Sequence, residues 1–427
     1  MTSHPHRMSI VVSCLMALAL GACTTGGGVE HGEVAIAAAD AGHARDVPSD
    51  QSASGLPPVT CSGEADATKP VIAAAGRRIY CAIDLGSKNA KLQVISIEPD
   101  RASSFEDERL CKVPLGFGAK VFDAKTKTKG PLAAADIANL VTVVREFQQI
   151  CAVDQGTLVG AEATQWARDA TNIAEVEAAV KARAAIDVEV LTPEQEGQYG
   201  YMAATRGAPD RLSLDPGSNS FQIGWLEKGA TTPRTVSIPF GFVRATAEHY
   251  PVRTSESYDA ARADHAAHLV ALLGEALGAL TPPASIASLR NAIAHGKLEP
   301  VIYVVGQDGA LQLAVRALLR GEDGRWVDTK DAYEARLARE KPIAHPIFGA
   351  VTTVLTPTEF GGFFAHVMNA ADFEALRQQP VRDLYGEKAL ANTVLVDTLI
   401  KQLGITSVVL VPQEMPAGYI LAKIAKP

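Results

Sequence analysis

Two short stretches of the chain carry the same pattern, Asp84-Leu85-Gly86-Ser87 and Asp215-Pro216-Gly217-Ser218. Each sits between two apolar runs, and each gathers at one point what phosphate chemistry requires. A glycine-containing turn lets backbone N–H groups converge on an anion, and Ser or Asn side chains add donors without bulk. Gly86, Ser87, Lys88 and Asn89 offer this in the first turn, and Gly217, Ser218, Asn219 and Ser220 in the second. An aspartate at the end of the preceding strand can hold Mg2+, often through water, so that the metal neutralises the phosphate the turn receives. Asp84 and Asp215 are the candidates. One such turn is a common hairpin sequence. Two on matching strands form an internal repeat, at a separation that suits one domain per copy.

The elements that must position these residues follow from hydrophobic periodicity. Residues 78–84 form an apolar run, and residues 91–97 alternate polar and apolar as a half-buried strand does, which predicts a hairpin whose turn holds residues 86–89. A strand over 109–113 precedes Gly116-Phe117-Gly118, a helix over 133–151 places Leu140, Val141, Val144 and Phe147 on one face, and a further strand begins at Leu158. Residues 188–191 read as a strand, and Pro193-Glu194-Gln195-Glu196 has the early proline and acidity of a helix N-terminus. A second unit opens near Asp210 with strands on both sides of its turn. It continues through a helix over 255–280, a strand over 301–305 ending in Gly306-Gln307-Asp308-Gly309, a helix over 394–403 and a strand over 408–411. The sum is a mixed α/β protein.

Upstream, residues 8–22 are apolar, follow Arg7 and end in Leu20-Gly21-Ala22-Cys23, too short for an ordinary spanning helix, so residues 1–22 read as a signal peptide. The last four residues resemble the lipobox of bacterial lipoproteins, which implies a lipidated Cys23 and a membrane anchor. Thr24 after it favours delivery to the outer membrane, facing the periplasm. Residues 23–76, rich in Gly, Ala, Ser and Pro, are expected to form a flexible tether before an N-terminal lobe over 77–209 and a C-terminal lobe over 210–427. A net charge of −8 argues against nucleic acid as a partner. Cys61, Cys81, Cys111 and Cys151 match no zinc module and allow two structural disulfides, with three pairings open, or buried thiols. Asp264, His265 and His268 could be drawn together on a helix as a metal site, but the pattern around them is amphipathic and reads as a solvated face.

On its turns the chain resembles the actin, Hsp70 and sugar-kinase superfamily, with residues 306–309 similar to that superfamily's later glycine loop. Within it, residues 163–172 (Ala-Thr-Gln-Trp-Ala-Arg-Asp-Ala-Thr-Asn), 191–196, 237–244 and 304–310 resemble the exopolyphosphatase and guanosine pentaphosphate phosphatase family, Ppx/GppA. The resemblance runs from about residue 78 to the C-terminus. It implies two RNase H-like, actin-like ATPase lobes with mixed sheets flanked by helices and a phosphate cleft between them. It also implies Mg2+ or another divalent cation, Glu196 as the base that activates a hydrolytic water, and Arg168 gripping phosphate with paired donors. The substrate would be polyphosphate or another phosphoanhydride, and a homodimer is allowed.

Several residues depart from the family pattern. Lys88 and Asn89 stand where the first loop usually has Asn-Ser; Pro216, Ser218 and Asn219 alter the second loop, and Gln222 replaces its final acid. Residues 413–418 stand where an arginine-containing glycine loop is usual. The expected activity is release of terminal phosphate outside the cytoplasm. The alternative is a non-catalytic polyphosphate- or nucleotide-binding lipoprotein that keeps the anion site without the hydrolytic arrangement.

Overall fold

The structure is a computed structural model, and it describes residues 56–61, 68–99, 101–123, 126–250, 255–305, 343–345, 349–351, 353–355, 387–411 and 413–424. The signal segment, Cys23 and the 306–309 loop lie outside the described residues.

The first sheet draws on strands β1 (Thr60–Cys61), β2 (Arg78–Leu85), β3 (Asn89–Glu98), β4 (Arg101–Pro114), β7 (Thr157–Ala163) and β8 (Val188–Val190), in the order β1-β4-β3-β2-β7-β8. A small ribbon, β5 (Phe122–Asp123) with β6 (Thr128–Lys129), lies apart from it. β4, β3 and β2 run antiparallel, whereas β7 and β8 continue parallel to β2. The second sheet repeats that plan. It is built from β9 (Arg211–Pro216), β10 (Phe221–Leu226), β11 (Arg234–Ile238), β12 (Val301–Val304), β15 (Thr353–Leu355) and β16 (Ser407–Leu410), in the order β11-β10-β9-β12-β16-β15. Here β11, β10 and β9 are antiparallel, and β12 and β16 add in parallel to β9. A second ribbon pairs β13 (Ile343–His345) with β14 (Gly349–Val351). The repeat read from two turns is thus a repeat of whole half-sheets.

Helices cover both sheets. α2 (Ala134–Val153) buries Ile137, Leu140, Val141, Val144 and Phe147 against the first sheet, together with α1 (Phe117–Val121), α3 (Gln165–Asp169) and α4 (Ile173–Ala184). α6 (Phe242–His249), α7 (Ser255–Gly278), α8 (Ile286–Ala294) and α9 (Glu387–Leu403) do the same for the second. A third core contains residues of both sheets packed with α5 (Pro193–Thr205) and α10 (Met415–Ile424). α5 starts where expected, with Thr192 and Gln195 closing a capping box and Pro193 in the first turn. The two helices touch at Gly418, where a Cβ would fall 1.8 Å from the Tyr199 carbonyl oxygen, so only glycine permits the crossing.

One expectation is revised and one open choice is resolved. Residues expected within a flexible tether are docked: Leu56 and Val59 pack on the first core, β1 pairs with β4, and Val71 N–H donates to Asp154 at 2.8 Å. The cysteines form disulfides Cys61–Cys111, across that edge pairing, and Cys81–Cys151, between β2 and α2. No helix among the described residues is long and apolar enough to cross a membrane.

Candidate active site

The first turn closes with Gly86 N–H donating to the Asn89 carbonyl at 3.0 Å; a Cβ on Gly86 would lie 2.9 Å from that oxygen. Its carbonyls are held from outside, Ser87 by Gly118 N–H at 2.8 Å and Lys88 by the N–H groups of Leu115 and Gly116 at 3.0 and 2.9 Å. The second turn is equally tight, since a Cβ on Gly217 would fall 2.5 Å from the Ser220 oxygen. The start of α6 rests on it: Gly241, Phe242 and Val243 donate to the carbonyls of Asn219, Gly217 and Ser218 at 3.0, 3.2 and 3.1 Å. Gly118 marks where the two turns meet, for a Cβ there would be 3.0 Å from Ser87 Cβ and 3.1 Å from Asn219 Nδ2. Ser87 and Gly118 precede Asn219 by 132 and 101 residues, so these segments converge only through the packing of the two half-sheets.

Glu196 sits in the first turn of α5 and is 4 % exposed. Its Oε1 accepts from Arg168 Nη1 at 2.8 Å and its Oε2 from Gln222 Nε2 at 3.1 Å. One helical turn on, the place a Cβ would take on Gly200 lies 3.5 Å from Asp215 Oδ2, which sets the base candidate and the second-turn aspartate along one face of α5. Burial pushes the Glu196 carboxyl up against the opposing pull of Arg168, and burial takes Asp215 up to about 7. Arg168 commits its guanidinium to Glu196, to the Leu191 carbonyl and to Gln165 Oε1 at 2.7 Å. Gln222, where the family pattern has an acid, also donates to Ser220 and Ser237 at 2.9 and 3.1 Å. An acid in that place could not hold Glu196 in this way.

Asp84 belongs to a row of five charged residues in register across β4, β3, β2, β7 and β8: Lys112, Lys91, Asp84, Glu162 and Glu189. In-register neighbours share one face of a sheet, and this face is the one α10 covers. Glu414, just before α10, joins Lys91 at 2.9 Å and Lys112 at 3.4 Å, while Tyr419 and Lys423 donate to Glu189 at 3.2 and 2.5 Å. Lys91 also approaches Asp84 Oδ2 at 3.5 Å. Despite burial, Glu414 and Asp84 keep Lys91 charged, and Lys91 and Lys112 hold Glu414 below the usual range.

Glu162, next to Asp84 in the row, is fully buried, and neither of its carboxylate oxygens has a hydrogen-bond partner; Asp84 Oδ1 is likewise buried and unpartnered. Burial first, then the neighbouring Asp84 and Glu196, pushes Glu162 well above the carboxylate range. The sequence reading passed over Glu162, Lys91 and Glu414. The available signal was a lone acid among small residues in Gly160-Ala161-Glu162-Ala163, but its alignment with Asp84 depends on a parallel pairing the sequence does not display. Residues 413–418, which stand where the family pattern has an arginine-containing glycine loop, bridge to the first sheet, with Gln413 donating to Asp107 at 2.5 Å.

Residues 115–273 match the Ppx/GppA phosphatase family. No curated protein sequence matches the chain. Among solved structures, a Ppx/GppA family member from Aquifex aeolicus superposes with a TM-score of 0.58 at 19% identity, covering 82% of this chain and 98% of that one. An exopolyphosphatase from Cytophaga hutchinsonii gives 0.55 at 15% identity, covering 81% and 98%. At these identities the likeness is one of fold, and the two half-sheet repeats are the two lobes of the actin-like ATPase architecture.

Proposed function

From a chain that carries a Ppx/GppA phosphatase-family domain in an actin-like two-lobed fold, we propose a phosphohydrolase that releases the terminal phosphate of a phosphoanhydride. The observation that carries this reading is the Glu196 carboxylate, buried within electrostatic reach of Asp84 and Asp215 and held at each oxygen by a separate donor. A general base needs a fixed direction and a raised pKa; the two hydrogen bonds fix the direction, and burial pushes the pKa up. In this reading the turn residues 86–89 and 217–220 receive the phosphates, and Glu196 takes a proton from water as the water oxygen attacks the terminal phosphorus. The bond from that phosphorus to its bridging oxygen breaks, leaving orthophosphate and a substrate one phosphate shorter. Arg168 and Gln222 act through Glu196 by aiming it.

Asp84 and Asp215 fit a hard divalent cation such as Mg2+. Asp84 Oδ1 is a buried carboxylate oxygen with no partner, and burial pushes Asp215 up to about 7, a shift an adjacent cation would reverse. Such an ion would neutralise charge on the phosphates.

The substrate we favour is inorganic polyphosphate, because a lipidated Cys23 would place residues 77–209 and 210–427 as two lobes at the cell envelope, away from cytoplasmic nucleotides. The test is phosphate release and binding by the mature protein with long-chain polyphosphate and Mg2+, repeated with Glu196→Gln. Release that disappears in the variant while binding persists supports the hydrolase. Binding without release in the unaltered protein sinks it and leaves the non-catalytic polyphosphate-binding reading.

A further inference from the structure

A group of metal-ligating side chains lies outside the cleft, between α6 and α7. Of the α7 residues expected on a solvated face, Asp264 is exposed but His265 is not: it is 1 % exposed, stacked on His249 at 4.9 Å and joined through Nδ1 to the Tyr250 hydroxyl at 2.7 Å. Phe240 closes one side of the cluster. Packing of α6 across α7 buries this stripe, so His249 from one helix meets His268 from the other, Nε2 to Nδ1 at 3.2 Å. The other nitrogen of His249 faces Asp264 Oδ2 at 3.0 Å. Ligand atoms of Glu248, His249 and His268 all lie within 4.8 Å of one another.

We propose that His249 Nε2, His268 Nδ1 and the Glu248 carboxylate form a site for a borderline divalent transition ion, with Zn2+ the best fit, and that Asp264 orients His249 for it. Two imidazoles and a carboxylate suit such an ion, and a fourth place would be left to water. Ligands of a tetrahedral zinc with bonds of about 2.1 Å stand about 3.4 Å apart, close to the separation of the two ring nitrogens. A proton on His249 Nδ1, donated to Asp264, leaves the Nε2 lone pair directed at the site, the carboxylate–histidine arrangement that fixes the tautomer of a metal ligand. Glu248 takes part from an ion pair with Arg244 at 2.6 Å, which engages one oxygen and leaves the other. The site stands at the far end of the helix whose first residues hold the second turn. Its metal is therefore distinct from any ion at Asp84 and Asp215.

The test is calorimetric titration of Zn2+ into the metal-stripped protein with Mg2+ present at millimolar level to occupy the carboxylates of the cleft. One saturable equivalent is expected, and Co2+ in its place should give the visible absorption of a tetrahedral site with nitrogen ligands. His268→Asn, at the less buried of the two histidines, is expected to abolish the binding, and Asp264→Asn to weaken it about 10–100-fold. Thermal melts of both variants without metal establish that they fold. Unchanged Zn2+ affinity in a folded His268→Asn protein, or no saturable binding in the unaltered one, overturns the site.

Discussion

Replacing Arg168 by Met is expected to change when Glu196 can act more than how well substrate binds. Arg168 and Glu196 form a pair at 2.8 Å with side chains 19% and 5% exposed, and burial pushes the carboxyl up while Arg168 pulls it down. Removing one partner of a fully buried pair costs about 3–5 kcal/mol. With Arg168 partly reached by water, about 2–3 kcal/mol is the reasonable share. Losing Arg168 removes the pull that opposes burial, so the Glu196 pKa moves further up. A base is active when ionised, so below its pKa the rate falls about tenfold per pH unit. Phosphate release measured as kcat/KM against pH should therefore show an acid limb displaced toward alkali, with a plateau recovered to within a few fold at high pH. Arg168→Lys, which keeps the charge, should restore most of the displacement. If Arg168 instead grips substrate, the Met variant raises KM by a similar factor at every pH and the limb stays in place; that result refutes the reasoning.

Glu162→Leu removes a carboxyl whose oxygens are buried and unpartnered. The variant is expected to be more stable without metal by about 1–3 kcal/mol, seen as a melting temperature higher by several degrees, and a fall would show that Glu162 has a partner in solution. The Cys81–Cys151 disulfide spans a sequence separation of 70. The double Cys→Ala variant should lose about 4 kcal/mol on the chain-entropy argument, or at least the roughly 2 kcal/mol typical of native bridges, in denaturant titrations. Asp215 titrates at about 7 folded against 3.8 as its ordinary value. The folded state thus holds this proton more tightly, giving stability that is full below about 4 and lost as pH rises through 7. Thermal scans in a chelator should show lower stability at pH 8 than at pH 5.5, and Mg2+ should flatten the difference; a rise with pH would contradict the burial of Asp215.

What the chain discloses by itself is local. The hairpins around both turns run within a residue or two of where alternation and turn chemistry place them, because each depends on contiguous residues. α5 begins at Pro193 because proline and the capping box act within one turn. β4 extends over Arg101–Pro114, well beyond 109–113, since its polar first half is recruited by β3 through irregular pairing rather than by hydrophobicity of its own. β11 has no strand reading in the sequence: it is a half-polar edge strand that exists because β10 offers it a partner. The same limit applies to the site. Glu196, Asp84 and Asp215 stand out by motif, whereas the donors that hold Glu196 lie 28 and 26 residues away, and Glu414 meets Lys91 across 323 residues. His265 looked solvated because the covering helix α6 is invisible to the periodicity of α7.

The crossing of α10 over the first sheet has a consequence for the order in which the protein matures. Lys91 and Lys112 share the carboxylate of Glu414, and Glu189 accepts from Tyr419 and Lys423 of α10. A ribosome delivers the N-terminal strands hundreds of residues before that helix. During synthesis the first half can form its hairpin and α2, but its charged row stays open to solvent until the last segment emerges and threads back. A nascent or prematurely terminated chain therefore presents an unfinished lobe with an uncovered polar stripe, a natural handle for holdases and proteases that the completed molecule no longer displays.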